Sequence, residues 1–573
     1  MGNISNKYGV KQLVGRLKKH QLKHVVISPG SRNAPLSISL SSDEDYTCYS
    51  IPDERSAAFY ALGMAERLQQ PTAIICTSGS ALLNYYPAVC EAFYRGIPLI
   101  VISADRPLEW TDQGDGQTIR QVDALNNHIL GQISLIEEPK NENERWFNSR
   151  EIDRLLNIAS KKGGPIHINF PFDEPLYNTI KKEDIQELNY LTELLTGKMT
   201  LSSTELNQLV EEWNSASKKM IICGQLPKNK RLQQQLINLT EDSSVAILVE
   251  NTSNLVYKGF IHCIDRTLNS IDDDNKTAFA PDLLITIGGA VVSKKIKAYL
   301  RSYKPKFHWK IGVDFPFMDT YQSLTKSIPL SPADFFTELT NTNIQLNSSR
   351  FGEQWKQLDY LIQDQHHNYF QKSDYADLSV FQILMDVIPE QSVLHLANSS
   401  VVRYSQLFDP IASIDYYSNR GTSGIDGSTS TALGAALVDK NNLHSFITGD
   451  ISFFYDSNAF WNNHIPPNFR IFVINNGGGG IFKIIPGPDT SSALDDHFVA
   501  KQDFSAKYIC KAFNINYVAA ESIDELNDKL PEFYNHQENS RPALMEIFTP
   551  HELNDKVLKD YFNAIKITPK LLK

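Results

Sequence analysis

The feature that most limits what this chain can fold into is a short apolar, largely β-branched run that recurs along it. Each run is closed by Gly, Pro, Ser or Asp: HVVIS at 24–28, TAIIC at 72–76, PLIVIS at 98–103 and PIHINF at 165–170. A strand covered by helices on both faces needs apolar side chains at every position, so continuous runs of this kind read as buried parallel strands. Helix-like stretches such as 54–69 lie between them. Alternation of strand and helix through residue 175 implies a doubly wound α/β unit.

The pattern returns twice. A polar stretch at about 175–203 reads as a linker, and a second unit follows with KMIICG (219–224), VAILVE (245–250), DLLITIGG (282–289) and KFHWKIGVD (306–314). A Ser, Asn and Thr-rich stretch at 340–350 ends it. A third unit begins near 375, with SVLHLAN (392–398), HSFITGD (444–450), FRIFVINN (469–476) and ALMEIF (543–548). The expected class is therefore α/β, three consecutive open, mainly parallel-sheet domains at 1–180, 200–345 and 370–573. The 573 residues suit units of roughly 100 to 200 residues each. Open α/β sheets bind ligands beyond the carboxyl ends of their strands, which directs attention to the loops there. Such sheets host many activities, so fold alone does not give the chemistry.

Composition removes several functions. Hydrophobic residues at 42% and charged residues at 21% are ordinary for a globular protein. A net charge of −11 opposes general binding to nucleic acid, whose affinity comes from Lys and Arg neutralising phosphates. Any basic site must be local. Cys48, Cys76, Cys90, Cys223, Cys263 and Cys510 form no CxxC pair, which fits neither a zinc knuckle nor a disulfide framework. The start, MGNISNKYGV, lacks the regions of a signal peptide, and Asn6 stands where a myristoylation signal needs Ser or Thr. No apolar run approaches the roughly 18 residues of a membrane span. A cytoplasmic protein with neither nucleic-acid binding nor membrane insertion is expected. Walker A, HExxH and GxSxG sequences are missing, and none of the 14 histidines stands in a chemical motif.

Two strand ends stand out. HSFITGD runs into Gly449-Asp450-Ile451-Ser452, and FRIFVINN into Asn475-Asn476-Gly477-Gly478. A hard divalent cation takes about six oxygens at roughly 2.0–2.1 Å, commonly from a carboxylate, an amide or backbone carbonyl and the phosphates of its ligand. Asp450, the Asn476 side chain and the Gly478 carbonyl could supply the protein's share, and the glycines would let backbone approach a diphosphate. A Gly-Asp pair alone fits an ordinary turn better than a metal site; the Asn-Asn-Gly partner at this spacing leaves the two readings level. Glu54, in Asp53-Glu54-Arg55 before SAAFYALGMAER, stands where a helix should start. There it either complements the helix dipole or carries chemistry.

The Gly-Asp and Asn-Asn pair resembles the cofactor signature of thiamine-diphosphate enzymes, with Ile451 and Ser452 where a second glycine is common. Glu54, its Ala-rich helix and TSGSALLNYYPAVCEA (77–92) resemble their pyrimidine-binding domain. SPGSRNAPL (28–36), SADRP (103–107), NSSVVRYS (398–405) and SNRGTSGIDGSTSTALGAA (418–436) together resemble the 2-succinyl-5-enolpyruvyl-6-hydroxy-3-cyclohexene-1-carboxylate synthases over essentially the whole chain, a branch that tolerates the GDIS variant. The resemblance implies thiamine diphosphate with Mg²⁺ or Mn²⁺ as cofactors. It also implies a homodimer or homotetramer whose cofactor site lies at the subunit interface, with Glu54 reaching across to a pyrimidine ring nitrogen as the catalytic residue. The implied cofactor contacts are Glu54, Ser399, Ile425 as an apolar wedge, Asp450, Ser452, Asn476, Gly478 and Ile481.

The implied reaction is decarboxylation of 2-oxoglutarate and 1,4-addition of the succinyl unit to isochorismate, in menaquinone biosynthesis. Both substrates are dicarboxylates, for which arginine forks are the usual partners, and Arg32, Arg106, Arg403 and Arg420 all sit in loops after expected strands. Carried over by position, Ser399, Arg403 and Arg420 face 2-oxoglutarate. Ser31, Arg32, Arg106, Gln117, Lys294 and Lys295 face isochorismate, and Ile481 and Phe482 wall the reacting carbon. At Lys295 the family carries an arginine, and lysine lacks the bidentate fork. Another thiamine-dependent 2-oxo acid decarboxylase or carboligase, or a catalytically silent relative, would share much of this pattern.

Overall fold

The computed structural model describes residues 3–182, 191–484, 487, 490–535 and 541–566. Three sheets, every pairing in them parallel, carry the chain. The first has six strands in the order Thr47–Ser50, His24–Ile27, Thr72–Cys76, Leu99–Asp105, Ile166–Pro171, Gln132–Ser134. The second has five: Val245–Val249, Lys219–Cys223, Leu283–Ile287, Phe307–Ile311, Lys326–Ile328. The third has six: Asp415–Tyr417, Val393–Leu396, His444–Gly449, Phe469–Asn475, Ala543–Phe548, Asn516–Ala520. A small antiparallel pair, Asn3–Ser5 with Thr179–Lys181, fastens the chain start. No helix among the described residues is long and apolar enough to cross a membrane.

Period-two geometry explains the continuous apolar runs. Val25, Ile27, Ala73, Ile75, Ile100 and Ile102 face one core of the first sheet, while Val26, Ile74, Cys76 and Val101 face another. In the second sheet Ile221 and Cys223 point one way, and Met220 and Ile222 the other. The helix Phe351–Phe370, between the second and third expected units, buries Phe351, Trp355, Leu358 and Ile362 with Met220 and Ile222, and so covers the second sheet. Part of the expected linker, 183–190, lies outside the described residues. Beyond it, Thr192 and Leu194 are tied to the helix Glu142–Lys162 by Asn157, which donates to the Thr192 carbonyl at 2.7 Å and accepts from the Leu194 amide at 2.9 Å.

A helix crossing joins the first and third sheets. The helix Glu54–Leu68 is buried at every position from Ser56 to Glu66, so it needs apolar neighbours all round. Its partner is the helix Ser428–Val438, built of Ser, Thr, Ala and Gly except for Leu433, Leu437 and Val438. A Cβ on Gly63 would lie 1.9 Å from the Thr431 carbonyl oxygen, and one on Gly434 would lie 2.1 Å from that of Tyr60. The two backbones therefore touch. Asp456 secures the partner helix by accepting from the Ser430 amide at 2.7 Å and its hydroxyl at 2.9 Å. Gly63→Val should force this crossing apart and lower stability by about 3 kcal/mol or more, beyond ordinary core overpacking, because backbone cannot yield as a side chain can. Thermal unfolding would test it: an unchanged melting temperature would contradict the crossing.

Candidate active site

The strand His444–Gly449 delivers Asp450 into the first turn of the helix Asp450–Tyr455, and the neighbouring strand Phe469–Asn475 delivers Asn476. Asp450 accepts from the Gly478 amide at 2.8 Å and from Gln502 Nε2 at 2.7 Å. Burial pushes its carboxyl pKa up to about 6 despite these donors. The Asn476 amide nitrogen donates to Asp377 at 2.8 Å, which turns the carbonyl Oδ1 the other way. That oxygen is buried and has no hydrogen-bond partner among the described residues. Gly477 (φ 75°) and Gly478 (φ 147°) make the turn that follows, and a Cβ on Gly478 would meet the Val499 carbonyl oxygen at 2.7 Å. The expected trio is thus assembled. An orphaned carbonyl oxygen beside a buried carboxylate suits a hard cation, with phosphate oxygens completing its shell. The Gly478 carbonyl already accepts from the Gly480 amide at 3.0 Å, leaving one lone pair for a metal.

Glu54 opens its helix behind the N-cap Asp53, whose side chain accepts from the Ser56 amide at 3.0 Å. Burial raises the Glu54 carboxyl pKa, opposed by a backbone amide and reinforced by Asp53. The helix start lies against the end of the Asp450 helix. Arg55 donates to the Tyr455 carbonyl at 2.7 Å, and Asn458 donates to Asp53 at 2.8 Å. Ser452 Oγ donates to the Ile425 carbonyl at 2.7 Å, and Phe59 lies against Gly427, so Ile425 joins the same cleft. The helix that begins at Glu54, the segment that carries Ile425 and the helix that begins at Asp450 are thus tied together. Ile481 and Phe482, half-buried, follow the glycine turn.

The expected cations fall into two groups. After strands of the first sheet, Arg32 donates to the Phe172 carbonyl at 3.0 Å and pairs with Glu174 at 3.3 Å; burial, then nearby Arg106, lowers its pKa. Arg106 donates to the Gly116 carbonyl at 3.2 Å and pairs with Asp115 at 3.2 Å. Gln117, exposed with φ 54°, follows that carbonyl and overlies Gly79, and Ser31 is exposed beside Arg32. The second group surrounds Ser399, which holds φ 70° at the start of the helix Ser400–Ser405, where a non-glycine residue is strained. Arg403 donates to the Val292 carbonyl at 3.2 Å, and Arg420 donates to Asn398 at 2.8 Å. Both retain a buried Nε with no partner among the described residues.

The two lysines part. Lys294 is exposed, as Ser31 and Gln117 are, whereas Lys295 is turned away onto Asn269 (2.9 Å) and the face of Phe562 (3.2 Å). Its position on the helix Lys294–Ser302 gives the reason: Ile296, Tyr299 and Leu300 must face the second core, which rotates Lys295 toward the C-terminal helix. Sequence reasoning missed Asp377, Gln502 and Glu250. Glu250 closes the strand Val245–Val249, where a buried carboxylate could have been suspected. It accepts from the Val292 and Ser293 amides (2.7 and 2.8 Å), and burial raises it to about 7. Asp377 and Gln502 lie in no motif and far from Asp450 along the chain.

Three parallel sheets and a diphosphate corner facing a helix-borne glutamate define the class of thiamine-diphosphate enzymes. Residues 7–125 match the family "Thiamine pyrophosphate enzyme, N-terminal TPP binding domain", and residues 185–396 match "Middle domain of thiamine pyrophosphate". A benzoylformate decarboxylase structure from Polynucleobacter necessarius aligns with a TM-score of 0.69 at 15% identity, covering 95% of this chain and 99% of that one, a likeness of fold. The 2-succinyl-5-enolpyruvyl-6-hydroxy-3-cyclohexene-1-carboxylate synthase of Christiangramia forsetii is 45% identical over 563 residues, covering 95% of this chain and 96% of its own. That of Bacteroides thetaiotaomicron is 36% identical over 564 residues, with 98% and 99% covered. The chain belongs to this synthase family.

Asp377 orients Asn476, so Asp377→Ala should weaken Mg²⁺-dependent thiamine diphosphate binding by roughly 10- to 100-fold, the usual effect of losing a residue that orients a metal ligand. Calorimetric titration reads this directly, with circular dichroism as the control for folding. Unchanged affinity would remove Asn476 from the metal site.

Proposed function

We propose that the chain catalyses thiamine-diphosphate-dependent decarboxylation of 2-oxoglutarate and 1,4-addition of the succinyl unit to isochorismate, a step of menaquinone biosynthesis that would give the product for which its relatives are named. The observation that carries this reading is the pair Arg403 and Arg420. Each is at least half-buried and only partly hydrogen-bonded, at the carboxyl end of the sheet that delivers Asp450. Guanidiniums left this way inside a protein call for an anion. Asp450, Asn476 and Gly478 would hold Mg²⁺ or Mn²⁺ and, through it, the diphosphate. Bound there, thiamine diphosphate supplies the nucleophilic carbon and the electron sink that loss of CO₂ from a 2-oxo acid requires.

The chain's own residues do the rest. Glu54, raised by burial, holds a proton on its carboxyl oxygen more readily than an ordinary glutamate, which suits sharing one with a pyrimidine ring nitrogen. Arg403, Arg420 and Ser399 would bind 2-oxoglutarate. Arg32, Arg106, Gln117 and Ser31 would hold isochorismate and stabilise the charge that develops on its carboxylate during 1,4-addition. Ile481 and Phe482 would keep water from the reacting carbon.

We also propose a cytoplasmic location, supported by six free cysteines, and at least a homodimer. Leu108, 82% exposed, and Trp110, nearly half exposed, share one short helical turn and offer apolar surface that a second chain would cover. Within one chain the Glu54 helix already meets the Asp450 helix; an assembly with the glutamate from a second chain would make the same contact in exchange. Light scattering after size exclusion should give at least twice the 64.7 kDa of one chain; a monomer at micromolar concentration would refute the assembly.

Mixed with thiamine diphosphate, Mg²⁺ and 2-oxoglutarate, the protein should release CO₂ and form the succinylated cyclohexene only when isochorismate is added. Release without isochorismate would favour a simpler decarboxylase. Glu54→Gln should lower turnover at least 100-fold with fold and cofactor affinity kept, since only the proton-holding group is lost. Equal turnover would remove Glu54 from catalysis.

A further inference from the structure

The helix Lys294–Ser302 presents to the Arg403–Arg420 pocket a residue that no motif marks. Ser293 caps the helix by accepting from the Ile296 amide at 3.0 Å, and its own hydroxyl is held by Asp265. The preceding Val292 receives Arg403 on its carbonyl at 3.2 Å and gives its amide to Glu250 at 2.7 Å. One turn beyond Ser293 on the same face stands Lys297. It is partly buried, and no hydrogen bond or ion pair within the described residues occupies its ammonium. The charges acting on that ammonium are Glu250, Arg420, Arg403 and Arg301; burial first, and then the arginines, lower its pKa, with Glu250 opposing.

The local charges do not balance. Arg403, Arg420, Lys297 and Arg301 gather four positive charges, against Glu250, Asp265 and Glu91, the last already taken up by the Gly421 and Thr422 amides. Both Glu250 oxygens are taken up by backbone amides, and Asp265 is committed to Ser293. An excess positive charge, partly desolvated and without a partner, is a place for one carboxylate.

We propose that Lys297 is the third cation of the 2-oxoglutarate pocket and pairs with the carboxylate that the succinyl unit retains. This rests on the synthase reading above. The side of the site follows from Lys297 standing one turn beyond Ser293, next to the Val292 carbonyl that receives Arg403, whereas Lys295 turns to Phe562. The choice of carboxylate follows from the reaction. A cation held tightly on the carboxylate destined to leave as CO₂ would stabilise the ground state and oppose its departure. On the carboxylate that stays, the same pairing persists through the reaction and positions the substrate.

Steady-state kinetics of K297M and K297R test the assignment, with 2-oxopentanoate, equal in length but lacking the second carboxylate, as a competitor. K297M should raise KM for 2-oxoglutarate 10- to 100-fold, change kcat less than threefold, and leave both the isochorismate KM and the 2-oxopentanoate inhibition constant within twofold. K297R, still charged, should recover most of the loss. A rise in isochorismate KM alone, equal weakening of 2-oxoglutarate and 2-oxopentanoate, or no recovery in a folded K297R would each overturn the proposal. Should the unsubstituted protein fail to consume 2-oxoglutarate with isochorismate, the parent reading falls instead, and that is seen before any variant is made.

Discussion

Everything in the site hangs on the backbone contact between the helices Glu54–Leu68 and Ser428–Val438. At Gly63 and Gly434 the chains approach more closely than any Cβ allows, so the crossing is fixed by the absence of side chains. Each helix also carries chemistry at its start. Glu54 is the first residue of one, and Ile425 lies just before the other, which Asp456 anchors through Ser430. A shift in the crossing would move the glutamate relative to the wedge and the diphosphate corner together. The small residues of both helices are thus part of the site's geometry through the backbone approach they permit.

Around this crossing the parallel sheets act as holders of charge. Parallel strands bring their carboxyl ends to one edge, where loops can leave the core without stranding backbone polar groups. Asp450, Asn476, Arg403, Arg420 and Glu250 all leave strands there. Buried ionic groups cost solvation free energy, and the structure offsets it with backbone donors, as at Glu250 and Asp450, or leaves it unmet, as at the Nε atoms of Arg403 and Arg420. An acidic protein can in this way present a pocket that is positive only where anionic substrates bind.

Much of this was legible in the sequence, for a physical reason. Strands inside the sheets have apolar neighbours on both faces, and runs such as TAIIC and FRIFVINN announce it. The parallel strands that escaped notice, Thr47–Ser50, Gln132–Ser134, Lys326–Ile328, Asp415–Tyr417 and Asn516–Ala520, are all edge strands. An edge strand is covered less, so its sequence mixes polar with apolar residues and loses the signal. The site divides in the same manner. Asp450, Asn476 and Gly478 stand in glycine-rich turns whose conformation restricts composition and so leaves a pattern. Asp377 and Gln502 meet Asp450 and Asn476 through side chains from distant segments, a relation no spacing encodes.

The lysines of the second unit show where position along a chain stops being informative. Lys294 and Lys295 are adjacent and follow a strand, which suggested a joint role. On a helix, adjacent residues lie about 100° apart, so one face cannot take both. Burial of Ile296, Tyr299 and Leu300 fixes the rotation. That rotation sends Lys295 to Phe562 and leaves Lys297, one turn after the cap, on the face where Arg403 meets the Val292 carbonyl. The requirement that selects the cation is thus the packing of the helix's apolar side against the second core, and only then the charge of the residue presented.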